Sequence, residues 1–142
     1  MPVSVTTRAG KGAPLTNAEL DANFTGIKTA VETIEFIPQN SQSADYTCVL
    51  TDSGKHIFHP SADTTARIWT IPANSSVAYP VGTAITFVNQ NGAGVVTIAI
   101  TSDTMRLSPA GTTGSRTLAA NGVATALKIT PTEWIISGSG LT

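Results

Sequence analysis

Charged side chains are scarce in this chain of 142 residues: they make up 12% of it, about half the usual share for a globular domain. Eight Lys and Arg stand against nine Asp and Glu, for a net charge of −1. With no basic surplus to neutralise phosphates, electrostatics argue against nucleic acid as a partner. A single cysteine, Cys48, leaves no intrachain disulfide and no redox pair. It reads as a small apolar core residue in a strand with Tyr46 and Leu50. No apolar run approaches the length of a membrane span, and the opening MPVSVTTRAGKGAPLT lacks the apolar core of a signal peptide. The expectation is a chain made in a cytoplasm that stays soluble, without a membrane partner, and leaves a cell only as part of something larger.

Catalytic motifs are missing too. There is no G-x-S-x-G elbow, no G-x-G-x-x-G after a strand, no P-loop and no H-E-x-x-H. The two histidines, His56 and His59, lie near Asp52 and Asp63. On a strand, residues three apart point to opposite faces, so the pair reads as strand-end histidines satisfied by backbone or solvent, not as a metal site. Asp45, Asp52, Asp63, Asp103 and Glu133 are scattered through turns and strand edges, with no pair singled out for acid and base work. No enzymatic activity, cofactor or metal is expected.

What is present begins with one short helix. Thr16 is its N-cap, Glu19 completes a capping box, and Leu15 and Leu20 form a hydrophobic staple. Pro14 prevents extension backwards and Pro38 ends the segment. Within it Leu20, Phe24, Ile27, Val31 and Ile34 recur at steps of four, three, four and three. Phe24 and Val31 take a positions of a heptad, and Leu20, Ile27 and Ile34 take d positions. A helix lying on its own domain shows a wider stripe at period 3.6. The narrow stripe instead predicts a coiled-coil seam, and its β-branched residues favour three strands over two.

From about residue 44 the period changes to 2. Candidate strands cover 45–51, 55–59, 66–71, 83–89, 95–101, 104–107, 115–119, 123–130 and 133–137, the pattern of an antiparallel sandwich or barrel. Asn121-Gly122 reads as a tight hairpin turn, and Asn91-Gly92, Asp52-Ser53-Gly54 and Thr130-Pro131-Thr132 mark further turns. The inward sets are Tyr46, Cys48 and Leu50; Ile68, Trp69 and Ile71; Ile85 and Phe87; Val96, Ile98 and Ile100; Leu127 and Ile129; Trp134 and Ile136. Trp69 and Trp134 are core or interface residues, or else stack on sugar rings. The chain thus divides into an extended, polar N-terminal anchor, the lead, at 1–14, a short coiled-coil helix at 15–38 and an antiparallel β-domain at 39–142. The lead, with Arg8 and Lys11, cannot fold alone; it is expected to be pinned against a partner or along its own domain.

Three stretches carry a resemblance. GAPLTNAELDANFTGI at 12–27 resembles a "PLTNAE-DANF" signature of tailed-bacteriophage structural proteins, found where a polar anchor enters a short coiled coil. Residues 53–100, from SGKHIFHP to VVTIAI, resemble a β-domain of phage tail-fibre and related virion proteins. Residues 111–142, GTTGSRTLAANGVATALKITPTEWIISGSGLT, are similar to the terminus of the same proteins. The resemblance implies a non-enzymatic homotrimer located in the virion and assembled in the host cytoplasm. Its N-terminal segment, with Arg8 and Lys11, would dock on capsid or tail proteins. Fibres of this type are usually far longer than 142 residues, which favours a short head fibre or capsid decoration protein. The alternative is a receptor-binding or carbohydrate-binding tip module facing a host surface glycan. A third reading, a glycan-cleaving fibre, needs a carboxylate pair at glycosidase spacing.

Overall fold

A computed structural model describes residues 4–32 and 36–142, and it divides the chain into two units, 1–37 and 38–142. The first carries two helices. Helix α1 (Arg8–Lys11) is capped by Thr7, whose hydroxyl accepts from the Gly10 amide, and is closed by Gly12 at φ 70°. Helix α2 (Asn17–Glu32) runs 16 residues, about 24 Å at 1.5 Å per residue. Its capping box forms as drawn from sequence. The Thr16 amide donates to Glu19 Oε2 at 2.7 Å, and the Glu19 amide donates to Thr16 Oγ1 at 3.3 Å.

The second unit is mainly β, with strands β1 (Gln39–Ser41), β2 (Tyr46–Thr47), β3 (His56–His59), β4 (Arg67–Ile71), β5 (Ala84–Asn89), β6 (Val96–Ile100), β7 (Thr104–Leu107), β8 (Arg116–Thr130) and β9 (Glu133–Leu141). They form one curled sheet in the order β1-β3-β5-β8-β6-β4-β2, with β9 beside β8 and β7 beside β9. Pairing departs from the antiparallel expectation: β1-β3, β3-β5, β2-β4, β4-β6 and β7-β9 are parallel, and only β8 pairs antiparallel with its neighbours. The period-2 signal reports alternation of faces and carries no information about strand direction. Here the chain alternates between two wings, odd-numbered strands in one and even-numbered strands in the other. Each parallel crossover therefore runs through the opposite wing and needs no helix.

Between the wings lies the core. Inward rows follow from register: Asn40, Ile57, Phe87 and Ala124 in the odd wing, and Tyr46, Trp69 and Ile98 in the even wing. Trp69 and Phe87 meet across the gap with centroids 6.2 Å apart. Cys48, Trp69, Trp134, Ile57, Ile71, Ile85, Ile98 and Ile136 are fully buried. Burial and the Asp52 charge push the Cys48 thiol up to about 12.

Three local expectations are corrected. Asn121-Gly122 is not a hairpin turn; it is a corner inside β8, where Asn121 adopts φ 62° and the register against β9 shifts. A side chain at Gly122 would collide with the Ala119 carbonyl and Leu118 Cδ1, both 2.7 Å away. The bend lets 116–118 pair with β6 while 122–127 pair with β5. The inward parity of β8 is also reversed. Ala124, Ala126 and Lys128 point in, whereas Leu127 and Ile129 are about 40% exposed. Small residues fit there because Phe87 and Ile85 on β5 already fill the space opposite. Leu50 and Ile68, also expected inside, are exposed.

Strand β9 leaves no room for a side chain at Gly138, where a Cβ would lie 2.2 Å from the Val123 carbonyl oxygen and 2.5 Å from Ala124 Cα. Both obstacles are backbone and cannot swing aside. Gly138→Ala is expected to lower unfolding stability by about 3 kcal/mol, read from urea midpoints; an unchanged midpoint would show that β9 is not fixed at this spacing.

Candidate functional site

The features that set the first unit apart lie on α2. No residue of the helix is buried. Leu20, Phe24, Ile27 and Val31 are 39%, 69%, 47% and 55% exposed. Ile34, the fifth seam residue, lies outside the described residues. Glu19, Asn23, Lys28 and Glu32 on the helix are bonded within the unit. Lys28 pairs with Glu32 one turn on. Asn23 grips the lead by a reciprocal pair: its Oδ1 accepts from the Thr6 amide at 2.8 Å and its Nδ2 donates to the Thr6 carbonyl at 2.9 Å. Lys11 donates to Glu19 Oε2. Lys11, then the Thr16 amide and hydroxyl, lower the Glu19 carboxyl to about 2. The described part of the lead is thus tied to its own helix, and Glu19 serves as cap and ion-pair partner at once. Of the two anchor cations, Lys11 is engaged, whereas Arg8 is exposed on α1.

In the second unit the polar side chains that suggested chemistry are turned to architecture. Asp52 is 1% exposed and accepts from Asn40 Nδ2 at 2.9 Å, Tyr46 Oη at 2.8 Å and the Val49 amide at 2.8 Å. Asn40 and Tyr46 sit on β1 and β2, the last strands of the two wings. One buried carboxylate therefore clasps these two edge strands, where open ladders invite unwanted pairing. Burial and the Asp52 bond raise the Tyr46 hydroxyl to about 12.

The histidines separate as strand geometry requires. His56 faces out beside Gln39, 3.1 Å from its side-chain nitrogen. His59 is fully buried between Asn89 Oδ1 and Asp63 Oδ2, each 3.0 Å away, with its ring edge-on to Trp69. Asp63 also accepts from Arg67 Nε at 2.7 Å and from the Thr65 amide at 3.1 Å. Arg67 above all, against the opposing effect of desolvation and with help from His59 and Thr65, holds its carboxyl well below the usual carboxylate range. The remaining carboxylates are likewise bonded. Asp45 takes the Ile68 amide at 2.9 Å, Asp103 the Asn74 amide at 3.0 Å, and Glu133 Arg106 Nε at 2.8 Å. No group of three or more His, Cys, Asp or Glu among the described residues is placed to hold a metal.

Lys128, like Asn89, is a buried polar residue that the sequence did not single out. It is 1% exposed, donates to Asn74 Oδ1 at 2.7 Å, and its ammonium stands 5.5 Å from the Trp134 ring centroid and 6.0 Å from that of Tyr79. Two aromatic faces and one amide oxygen compensate its desolvation. Its position in an otherwise apolar alternation is the signal that could have flagged it. Trp69 and Trp134 are both fully buried, so neither indole offers a face for a sugar to stack on. A shallow groove of about 450 Å³ runs past Asp103, Arg106 and Ser115, and Asp103 and Arg106 are already bonded within the domain.

Comparison of the chain with protein-family models, with curated proteins and with solved structures finds no match. Among the described residues no helix is long and apolar enough to cross a membrane.

The Asp63 cluster makes a signed prediction. A carboxyl whose pKa is depressed on folding contributes stability above its unfolded value, near 3.9, and loses it as pH falls through the folded value. Asp63→Asn should therefore lower the thermal midpoint at neutral pH, and the gap from the parent chain should close progressively as pH falls below about 4. A gap that persists unchanged at acid pH would contradict the ion-pair account.

Proposed function

We propose that this chain is a structural component of a bacteriophage virion: a short, homotrimeric, non-enzymatic fibre or decoration protein held to capsid or tail by its N-terminal segment. One observation carries the reading. Leu20, Phe24, Ile27 and Val31 stand at heptad spacing on a helix with no buried residue, and isolated helices of this length are marginal in water. Sister helices packed knobs-into-holes would give the stripe the cover it lacks. The β-branched residues at a and d favour three of them.

The lead supports the same reading. Its bonds through Asn23 and Glu19 hold it against α2, so each helix would present an ordered docking segment with Arg8 exposed. Joining three such segments makes successive docking events intramolecular, and a modest affinity per copy becomes lasting attachment. The resemblance of 12–27 to the phage anchor signature gives that attachment its address. The β-domain fits a passive spacer, because Asp45, Asp52, Asp63, Asp103 and Glu133 are all occupied in holding turns and edges. The carbohydrate-binding alternative draws no support from the tryptophans, since both are core.

Phe24→Asp combined with Ile27→Asp should give monomers or insoluble chains, and an unchanged oligomer mass by light scattering would refute the seam. Deleting residues 1–14 should leave a soluble oligomer that no longer joins particles; normal incorporation would refute the anchor.

A further inference from the structure

Lys128 is buried without the partner that a buried lysine usually has. No carboxylate among the described residues forms an ion pair with it. Its Nζ meets a single oxygen, Asn74 Oδ1 at 2.7 Å, and otherwise faces the rings of Tyr79 and Trp134. That one oxygen belongs to an acyl group.

The geometry is that of a nucleophile beside its target. With a C=O bond of about 1.23 Å, a nitrogen in hydrogen-bond contact with Oδ1 lies about 3–4 Å from Asn74 Cγ. That is close to the separation at which reacting atoms are poised for attack. Asn74 sits in the segment crossing from β4 to β5 and is held there through its backbone amide, which donates to Asp103 Oδ2 at 3.0 Å. Its Nδ2 makes no hydrogen bond among the described residues, and the residue is half-buried. The group that must leave in an attack at Cγ is therefore uncommitted and has a way to solvent. The amine lies on the dry side, against the buried rings of Tyr79 and Trp134. Desolvation is one of the ways a lysine amine is made nucleophilic, and it keeps water from competing.

We propose that Lys128 and Asn74 join in an intramolecular isopeptide bond. Nζ adds to Cγ, the Cγ–Nδ2 bond breaks, and two of the three ammonium protons pass to Nδ2. The amide nitrogen leaves as an ammonium ion and a secondary amide remains. Atoms, charge and electrons balance without an oxidant or a co-reactant. The exchange trades a buried ammonium that has no counter-ion for a neutral amide and a solvated ion, so burial itself favours the product. The bond ties β8 to a segment 54 residues away along the chain, in a protein whose single cysteine allows no intrachain disulfide. It lies within the second unit and is independent of assembly.

The test is the intact mass of the full chain in denaturant, beside Lys128→Arg and Asn74→Ala, with folding of all three followed by circular dichroism. The parent chain is expected to weigh one ammonia less than its sequence. Its tryptic digest is expected to contain peptide 68–106 joined to peptide 117–142, with Lys128 uncleaved. Both variants are expected at their full sequence mass. Because the branched peptide is read in the parent chain, a variant that fails to fold does not blunt the result. A parent chain at full mass overturns the bond. An ammonia loss that persists in either variant, or that maps to a succinimide at Asn91 or Asn121 with the two peptides separate, likewise overturns it.

Discussion

The second unit depends on a single strand. β8 is the only strand that pairs with both wings, taking β6 along its first residues and β5 along its later ones, with β9 on its other side. Without it the odd and even strands would be two short parallel stacks joined only by the loops that cross between them. The corner at Asn121 and Gly122 makes the double pairing possible, because a straight strand could follow only one wing. At the far end of each wing, β1 and β2 are closed by the Asp52 clasp. A bent strand at one end and a buried carboxylate at the other thus define how far the coil of strands extends.

Such a domain spends its polar chemistry on itself. Buried carboxylates, His59 and Lys128 each meet partners from other segments of the same unit, which specifies a unique arrangement where a Thr-rich sequence would tolerate register slips. The scarcity of surface charge follows the same logic if much of the surface is meant to lie against neighbours. In the first unit the balance is reversed: local polar bonds are satisfied and the apolar stripe is not. That asymmetry, more than any motif, is what directs the functional reading towards assembly.

Much of the first unit was legible because its signals are local. Thr16, Glu19 and Pro14 act within one helical turn, so the capping box could be drawn from sequence alone. The link from Asn23 back to Thr6 is 17 residues long in sequence and has no local signature. In the second unit the strands were visible by alternation, and 104–107 matched β7 residue for residue. Their direction was not, because alternation is the same for parallel and antiparallel ladders. The parity of β8 failed for a tertiary reason: Phe87 and Ile85 on β5 face Ala124 and Ala126, which turns Leu127 out, and Lys128 follows inward to Asn74, Tyr79 and Trp134. Asn121-Gly122 misled because a residue at positive φ serves a hairpin turn and a strand corner equally well.

The central claim is that α2 owes its stability to other copies of itself. Hydrogen exchange of the α2 amides in the native chain, followed across a dilution series, tests it without any substitution. Protection that is strong at high concentration and collapses on dilution, while the β5 and β8 amides stay protected, is the predicted result. Helix amides equally protected at every concentration, or unprotected throughout, would contradict it.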